Sequence, residues 1–538
     1  MPFQNQTLKF HSDAVGDDTL YVTEVGGFEA MSGLFNFVIE LVSTDPRIDL
    51  EQVLYAPAKL GLLQHLAGDL KTFKYWSGML ESFEELERGQ EWIRYRAVLV
   101  PDMAKLGAFY RSRIFMDQSV QDMATKVLED AGLGAGTDFE FDLTASYPTR
   151  EYAVQYEESD LAFVQRWLEH EGVFFFFEND GTNEVLRLGD ETGSYKPVNP
   201  QASSFPYRPE GASQSSGSTT TDEGELQEEE IQAFQCKVTR LPAKVTLNDY
   251  NWRDPSSRLT TTKDVSDKGV GLQNEYNDHY KTDSEGEALA NVRVQELTCR
   301  AKQFTGVGTC RAFRAGKTFE LTEHFRGDFN TTYLLTAVSH TATQSISLEA
   351  GTVTGATYSN AFTAIPATVV FRPERRTDWP SIKGVMNARV DSGGDGAAAD
   401  LDDMGRYKIK IPFDEAMDDT PDGEASRYVR MAQPYAGVNS GMHFPLLKGT
   451  EVLLTHVDGD PDRPIIAASV PNPETVSPVD SSNASQNRIQ TTSGNMMLMD
   501  DDGDATGFVM ASGNGAFIQD YRLPGGGTGI GTGILQSS

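Results

Sequence analysis

The stretch that most narrows the fold is residues 384–472, where short alternating runs are separated by turn-forming residues. In GRYKIKIPFD (405–414) the apolar Tyr407, Ile409, Ile411 and Phe413 alternate with Arg406, Lys408 and Lys410. A period of two places one set on a core face and the other in water, which predicts a half-buried antiparallel strand. Residues 428–433 and 451–457 read as strands too, with Tyr435-Ala436-Gly437 as a turn between them. Asp458-Gly459-Asp460-Pro461 reads as a tight turn before the apolar run 465–470. So many short strands in so few residues predict a small Greek-key barrel of the OB type.

Upstream, residues 7–11, 20–26, 34–41, 76–80 and 91–100 read as strands parted by glycine and aspartate. The period changes over residues 119–132, where Val120, Met123, Ala124, Val127 and Leu128 make a helical face that Gly132 ends. A second helix is predicted from Ser159 as N-cap, through Leu161, Val164, Trp167 and Leu168, to Gly172. The run 173–177 then begins a deeply buried strand, each buried Phe contributing roughly 1.5–3 kcal/mol. Trp167, His170 and Glu171 raise the question of acid–base chemistry, but without a convergent site they read as packing and helix-end residues. Residues 211–230 are small, polar and then acidic, a surface connection. A third helix over 284–300 carries Ala288, Val292, Val294 and Leu297, and strands follow at 318–322, 333–340 and 343–349. Residues 371–380 (FRPERRTDWP) read as a linker, and the acidic stretches 391–403 and 415–424 as surface insertions in the barrel.

After Asn472 a polar linker leads to TTSGNMMLMD (491–500), echoed by ASGNGAFIQD (511–520), an offset of about one short β-helix repeat. These ribbons carry Met496, Met497, Leu498, Phe508, Val509, Met510, Phe517 and Ile518 but have no partner sheet. A lone meander of this size is marginal in water. Identical chains wrapping about a threefold axis would share its edges and apolar faces. The expected needle core is Met496, Leu498, Phe508, Met510, Phe517 and Ile518. The glycine-dense end, with Gly525, Gly526, Gly527, Ile530 and Ile534, is the expected tip or partner contact.

The formal charge of −33 disfavours binding to phosphate backbones and docking on anionic lipid. The three cysteines, Cys236, Cys299 and Cys310, have no metal-ligand spacing, and an odd number fits a reducing compartment. No apolar run is long enough to span a bilayer, and residues 1–18 lack a basic start followed by an apolar block, so no Sec signal is expected. G-x-S-x-G, H-E-x-x-H and P-loop motifs are absent, and DDDGD at 500–504 lacks the spaced glutamate of an EF-hand. No cofactor, metal or catalytic residue is expected. His443 and His456 read as core or interface histidines.

Taken together, Gly405-Arg406, the strand ending Pro412-Phe413-Asp414, Gly437, and Gly459-Asp460-Pro461-Asp462-Arg463-Pro464 closing on Asn472 resemble VgrG. VgrG is the spike family of type VI secretion and related contractile injection systems, itself similar to the hub and needle of contractile phage tails. YEESDLAFVQRWLEHEGVFFFFE and LPAKVTLNDYNWRDP resemble its hub. Pro445-Leu446-Leu447-Lys448-Gly449 departs from the family pattern, and His456 stands where an aromatic is usual. The resemblance implies a mainly β chain with a few helices: a hub of two tube-like barrels over 1–370, a linker over 371–383 and an OB-fold collar over 384–472. A second linker over 473–487 leads to a short trimeric β-helix or β-prism over 488–538. It also implies a homotrimer that meets a hexameric Hcp-like inner tube and baseplate proteins, and carries a PAAR-type tip protein or effector cargo. Assembly in the cytoplasm and export with the particle follow, with the target membrane met only during puncture. Some relatives carry an enzyme, but the short passage from Asn472 to the needle leaves no room for one there. A peptidoglycan hydrolase working through the barrel aspartates and a cargo adaptor using the glycine-rich end are the rival readings.

Overall fold

The computed structural model of the chain describes residues 6–65, 71–89, 92–179, 183–200, 202–209, 229–347, 352–394, 398–502, 507–513 and 518–522. Two compact units divide it, Met1–Pro380 and Ser381–Ser538. The fold is mainly β with a few helices.

The first unit is built on a 13-stranded sheet. Its centre is the antiparallel pair Thr332–Ser347 and Thr352–Pro366, long enough to serve two separate cores. Ala342 and Tyr358 belong to a core with Phe10, Phe37, Trp76 and Tyr95. Leu335, Val338, Phe362 and Ala364 belong to another, with Phe234, Phe304, Phe313 and Phe319. Where the sequence predicts two strands over 333–349, the structure has one, bent by register shifts at Leu335/Ala337 and Thr343/Ser345. Extra residues at such bulges let one strand turn across both cores. Buried Gln344 lies at the second shift, and its amide donates to the Leu8 and Val22 carbonyls at 3.0 and 2.8 Å.

The helices Val120–Asp130 and Asp160–Glu171 pack on the same aromatic core as Phe139, Phe175 and Leu188. The first is closed by a capping box between Ser119 and Asp122. The second has Ser159 accepting from the Ala162 N–H, and Gly172 in left-handed conformation at its end. The Phe174–Asn179 strand lies between two cores. Phe174 and Phe176 face one with Met31, Leu334 and Phe371, while Phe175 faces the helices. The uninterrupted phenylalanine run follows from burial on both faces. The third helix, Asp283–Thr298, corrects the expected face: Leu289 and Ala290 are buried, Ala288 is exposed, and Val292, Val294 and Leu297 are half-buried.

The second unit holds a five-stranded sheet containing Met386–Asp391, Lys408–Lys410, Arg430–Met431, Glu451–His456 and Pro464–Ser469. Tyr407, Ile409 and Ile411 are buried as their alternation predicts, but only Lys408–Lys410 pairs as a strand and Phe413 is half-buried. Similarly, 428–433 pairs regularly only at Arg430–Met431. The two acidic stretches are less peripheral than expected. Asp391 accepts from the Gly423 N–H at 2.7 Å, Lys408 Nζ donates to the Gly423 carbonyl at 2.6 Å, and Asp422 pairs with Lys410 and Lys448. Their roots therefore brace one another inside the unit.

Beyond the sheet, Gln486–Gln490, Met496–Asp500, Gly507–Ala511 and Ile518–Arg522 form a four-stranded antiparallel meander. The sequence echo thus falls on an antiparallel meander, its repeats supplying the strands Met496–Asp500 and Ile518–Arg522. Within one copy the repeating element is a hairpin. Gly513 packs against the preceding turn so closely that a Cβ would lie 1.6 Å from the Ser493 carbonyl oxygen. Only glycine permits that approach.

Candidate functional site

Ionisable groups converge inside the first unit. Glu29, His340 and Tyr358 form a chain that sequence reasoning missed, with His340 Nε2 3.0 Å from Glu29 Oε1 and Nδ1 2.8 Å from the Tyr358 hydroxyl. All three lie in the core at 5% exposure or less. Burial pushes the His340 ring down and the Tyr358 hydroxyl up, so these two side chains stay neutral and tie strands together.

The residues around Trp167, His170 and Glu171 form a clamp on the linker. Arg166, 1% exposed, grips the Glu158 carboxylate with Nε and Nη2, and its guanidinium lies 4.4 Å from the Trp379 ring centre. Trp379 also meets Trp167 edge-on at 4.9 Å and stacks on His279 at 4.6 Å. One turn further along the same helix, the Glu169 carboxylate accepts the Arg376 and Thr377 backbone N–H groups, both at 2.9 Å. Arg372 donates to the Gly172 carbonyl at 2.7 Å and to Gln295 at 2.7 Å, and Arg375 pairs with Asp278. Phe371 buries its ring against Phe174. His170 bonds the Asp278 carbonyl through Nε2 at 3.0 Å, and Arg150 pairs with Glu171. Burial alone would raise the Glu171 carboxyl, but Arg150 and His170 draw it down to about 2. The Glu158, Glu169, Glu171 and Asp278 carboxylates and His170 each bond a neighbouring structural group, so the cluster holds the strap. Sequence reasoning saw the helix residues and the linker separately; it had no signal that they meet.

In the second unit the predicted motif residues form two supports. At the GDPDRP turn, Gly459 has φ +77° and its carbonyl accepts the Ile382 N–H at 2.7 Å. A Cβ there would lie 2.5 Å from Ser381 Oγ. Asp460 accepts the Asp462 N–H at 2.9 Å and pairs with Arg463 Nε at 3.2 Å, while Pro461 and Pro464 are buried. Asn472 caps the next turn by accepting from the Glu474 and Thr475 N–H groups, and donates to Glu451 at 2.9 Å. Gly405 has φ +70°, and Arg406 Nε donates to Asp402 at 2.6 Å. Gly437 lies in one arm of a hairpin, Ala436–Gly437 against Ser440–Gly441, so the expected turn at 435–437 falls instead at Val438-Asn439. His456 is buried and its ring nitrogen drawn down to about 4 by that burial, while His443 is exposed beside Tyr407.

The meander divides the expected needle residues between two faces. Met496 and Leu498 lie with Val509 on one; Phe508 and Met510 lie with Met497 and Met499 on the other. No described side chain of the meander is buried, and Ile489, Met499 and Met510 are each 43% exposed. Ile518 enters through its backbone pairing with Ala511. Phe517, Gly525, Gly526, Gly527, Ile530 and Ile534 lie outside the described residues.

A many-cored β hub, a strapped linker, an OB-type collar and an unpacked apolar ribbon define a hub-and-collar protein of the contractile-tail class. Residues 28–346 match the family described as phage tail baseplate hub (GPD), and residues 397–470 match the type VI secretion system/phage-baseplate injector OB domain. The hub match covers more than half of the chain, which belongs to that baseplate-hub family. Among characterised relatives, the chain is 28% identical to the type VI secretion system spike protein VgrG1b of Pseudomonas aeruginosa, over 92% of this chain and 64% of that one. It is 28% identical to VgrG1a of the same organism, over 89% of this chain and 72% of that one. It is 27% identical to the actin cross-linking toxin VgrG1 of Vibrio cholerae, covering 86% of this chain but 41% of the toxin. The chain thus spans about two thirds or less of most of these relatives' length.

Among solved structures, an E. coli type VI secretion component described as similar to the T4 tail proteins gp27 and gp5 superposes with a TM-score of 0.61 at 24% identity. That match covers 86% of this chain and all but 1% of that one. The lidded Francisella PdpA-VgrG complex superposes with a TM-score of 0.64 at 10% identity, covering 99% of this chain and 80% of that one. These likenesses concern the fold.

Proposed function

We propose that the chain is the central spike of a contractile injection apparatus and that it works as a homotrimer. The observation that carries this reading is the C-terminal meander, whose described side chains are apolar on both faces and none of them buried in a single copy. Such a ribbon becomes stable when copies share edges and faces. Hub family membership and similarity to VgrG spikes support the same reading.

In this reading three hubs present a platform to a hexameric Hcp-like tube and the baseplate, the collar transmits thrust, and the tip receives a PAAR-type protein or effector cargo. The function is mechanical. Asp391 and Asp422 of the barrel's acidic stretches are engaged with the Gly423 N–H and with Lys410 and Lys448, which supports a mechanical role over a peptidoglycan hydrolase working through the barrel aspartates. The partners and the domain limits 1–370, 384–472 and 488–538 belong to this proposal. Native mass spectrometry of the full chain should give three copies; a stable monomer at micromolar concentration would overturn the proposal.

A further inference from the structure

One exposed surface of the second unit carries no formal charge. Residues 431–447 contain no Asp, Glu, Lys or Arg, in a protein whose residues are 23% charged and whose net charge is −33. Within them, residues 434–445 are exposed without a break. The exposed side chains include Tyr435 at 59%, Val438 at 94%, Met442 at 44% and Phe444 at 50%. Large apolar side chains gathered in the open on one hairpin are a feature of contact surfaces.

The surface is also built to shape. Ala436–Gly437 pairs with Ser440–Gly441, the Tyr435 and Ser440 hydroxyls are 3.1 Å apart, and the Met442 N–H donates to the Tyr435 carbonyl at 2.9 Å. His443 braces the root, with Nδ1 3.1 Å from Gln433 Nε2 and its ring parallel to buried Tyr407. The Tyr407 hydroxyl in turn accepts the Leu446 N–H at 3.0 Å. Little ordering entropy is left for a partner to remove.

We infer that this hairpin is the collar's contact with a second copy of the same chain; the inference rests on the trimeric reading and names where its copies touch. Charge decides the occupant. Copies carrying −33 each repel wherever their carboxylates approach within a Debye length, about 8 Å at physiological salt. Close packing of such copies therefore favours surface that carries no charge. A basic heterologous partner would instead select acidic surface, which the chain has in abundance and this hairpin lacks.

The test uses the full chain. Hydrogen exchange should show the amides of residues 436–442 exchanging at least about tenfold more slowly in the trimer than in the monomer obtained by dilution, a difference the hairpin's own hydrogen bonds cannot produce. Val438→Asp puts a carboxylate at a loop position open to solvent in the single copy. It should leave circular dichroism unchanged while raising the trimer dissociation constant on the order of tenfold. A trimer whose hairpin amides exchange freely, or are protected only when a tip protein is added, overturns this inference and leaves the trimer standing. An unaltered dissociation constant for Val438→Asp does the same. A wild-type monomer overturns the trimeric reading itself, and this contact with it.

Discussion

At the scale of single residues, the chain uses buried polar groups as fixed struts, and in the collar the protonation of His456 should be visible. Its ring lies at the end of the Glu451–His456 strand, with Nδ1 free of any hydrogen bond among the described residues. Burial draws its pKa from 6.5 to about 4, so the folded collar keeps the ring neutral where the unfolded chain takes a proton. The unfolded state therefore binds more protons between those two values, and stability must fall as pH drops from about 6.5 to about 4 and be flat in this respect outside that window. Urea denaturation followed by collar-specific hydrogen exchange at pH 7, 5.5 and 4.5 should show that decline. His456→Phe, which places an aromatic where the family pattern has one, should remove the slope without lowering stability at pH 7. A variant that keeps the full slope would mean that some other group titrates.

At the scale of elements, the strap over 371–379 is held by contacts that span some two hundred residues of sequence, such as Arg372 to Gly172. Replacing Trp379 with Ala removes the ring that Arg166, Trp167 and His279 surround, losing about 1–3 kcal/mol of aromatic and cation–π contact. Limited proteolysis should then cut the strap several-fold faster while the hub's thermal transition, set by its own cores, stays in place. Equal cleavage rates would mean the clamp does not hold the strap. The same element shows what the sequence conceals. The Asp160–Glu171 helix was legible because its cap, apolar face and stop are all local. The strap was legible only as a linker, since nothing in FRPERRTDWP names Glu169 as the carboxylate that captures its backbone. The Thr352–Pro366 strand went unseen for another reason. Its inward side is Tyr358, Asn360, Phe362 and Ala364, so a buried asparagine, donating to the Cys310 carbonyl at 2.7 Å, interrupts the alternation. The two-strand reading of 333–349 likewise failed at bulges, where an extra residue resets the period.

At the scale of the whole molecule, a charge of −33 per copy and apolar ribbons pull assembly in opposite directions. Apolar burial is almost indifferent to moderate salt, whereas repulsion between copies decays with the Debye length, from about 30 Å at 0.01 M to about 8 Å at 0.15 M. If copies are joined through the meander and other uncharged surface, added salt weakens only the opposing term. The trimer should therefore tighten as sodium chloride rises across that range, and its dissociation on dilution, read by mass photometry, should shift to lower protein concentration. Oppositely charged faces would give the reverse, because screening would then weaken the attraction that holds the copies. Met497→Asp adds a carboxylate to one apolar face of the meander, so it should loosen the trimer and steepen the salt dependence together. A trimer that loosens with salt would place its main interface on paired charges, and the unpacked ribbon would no longer explain why the copies associate.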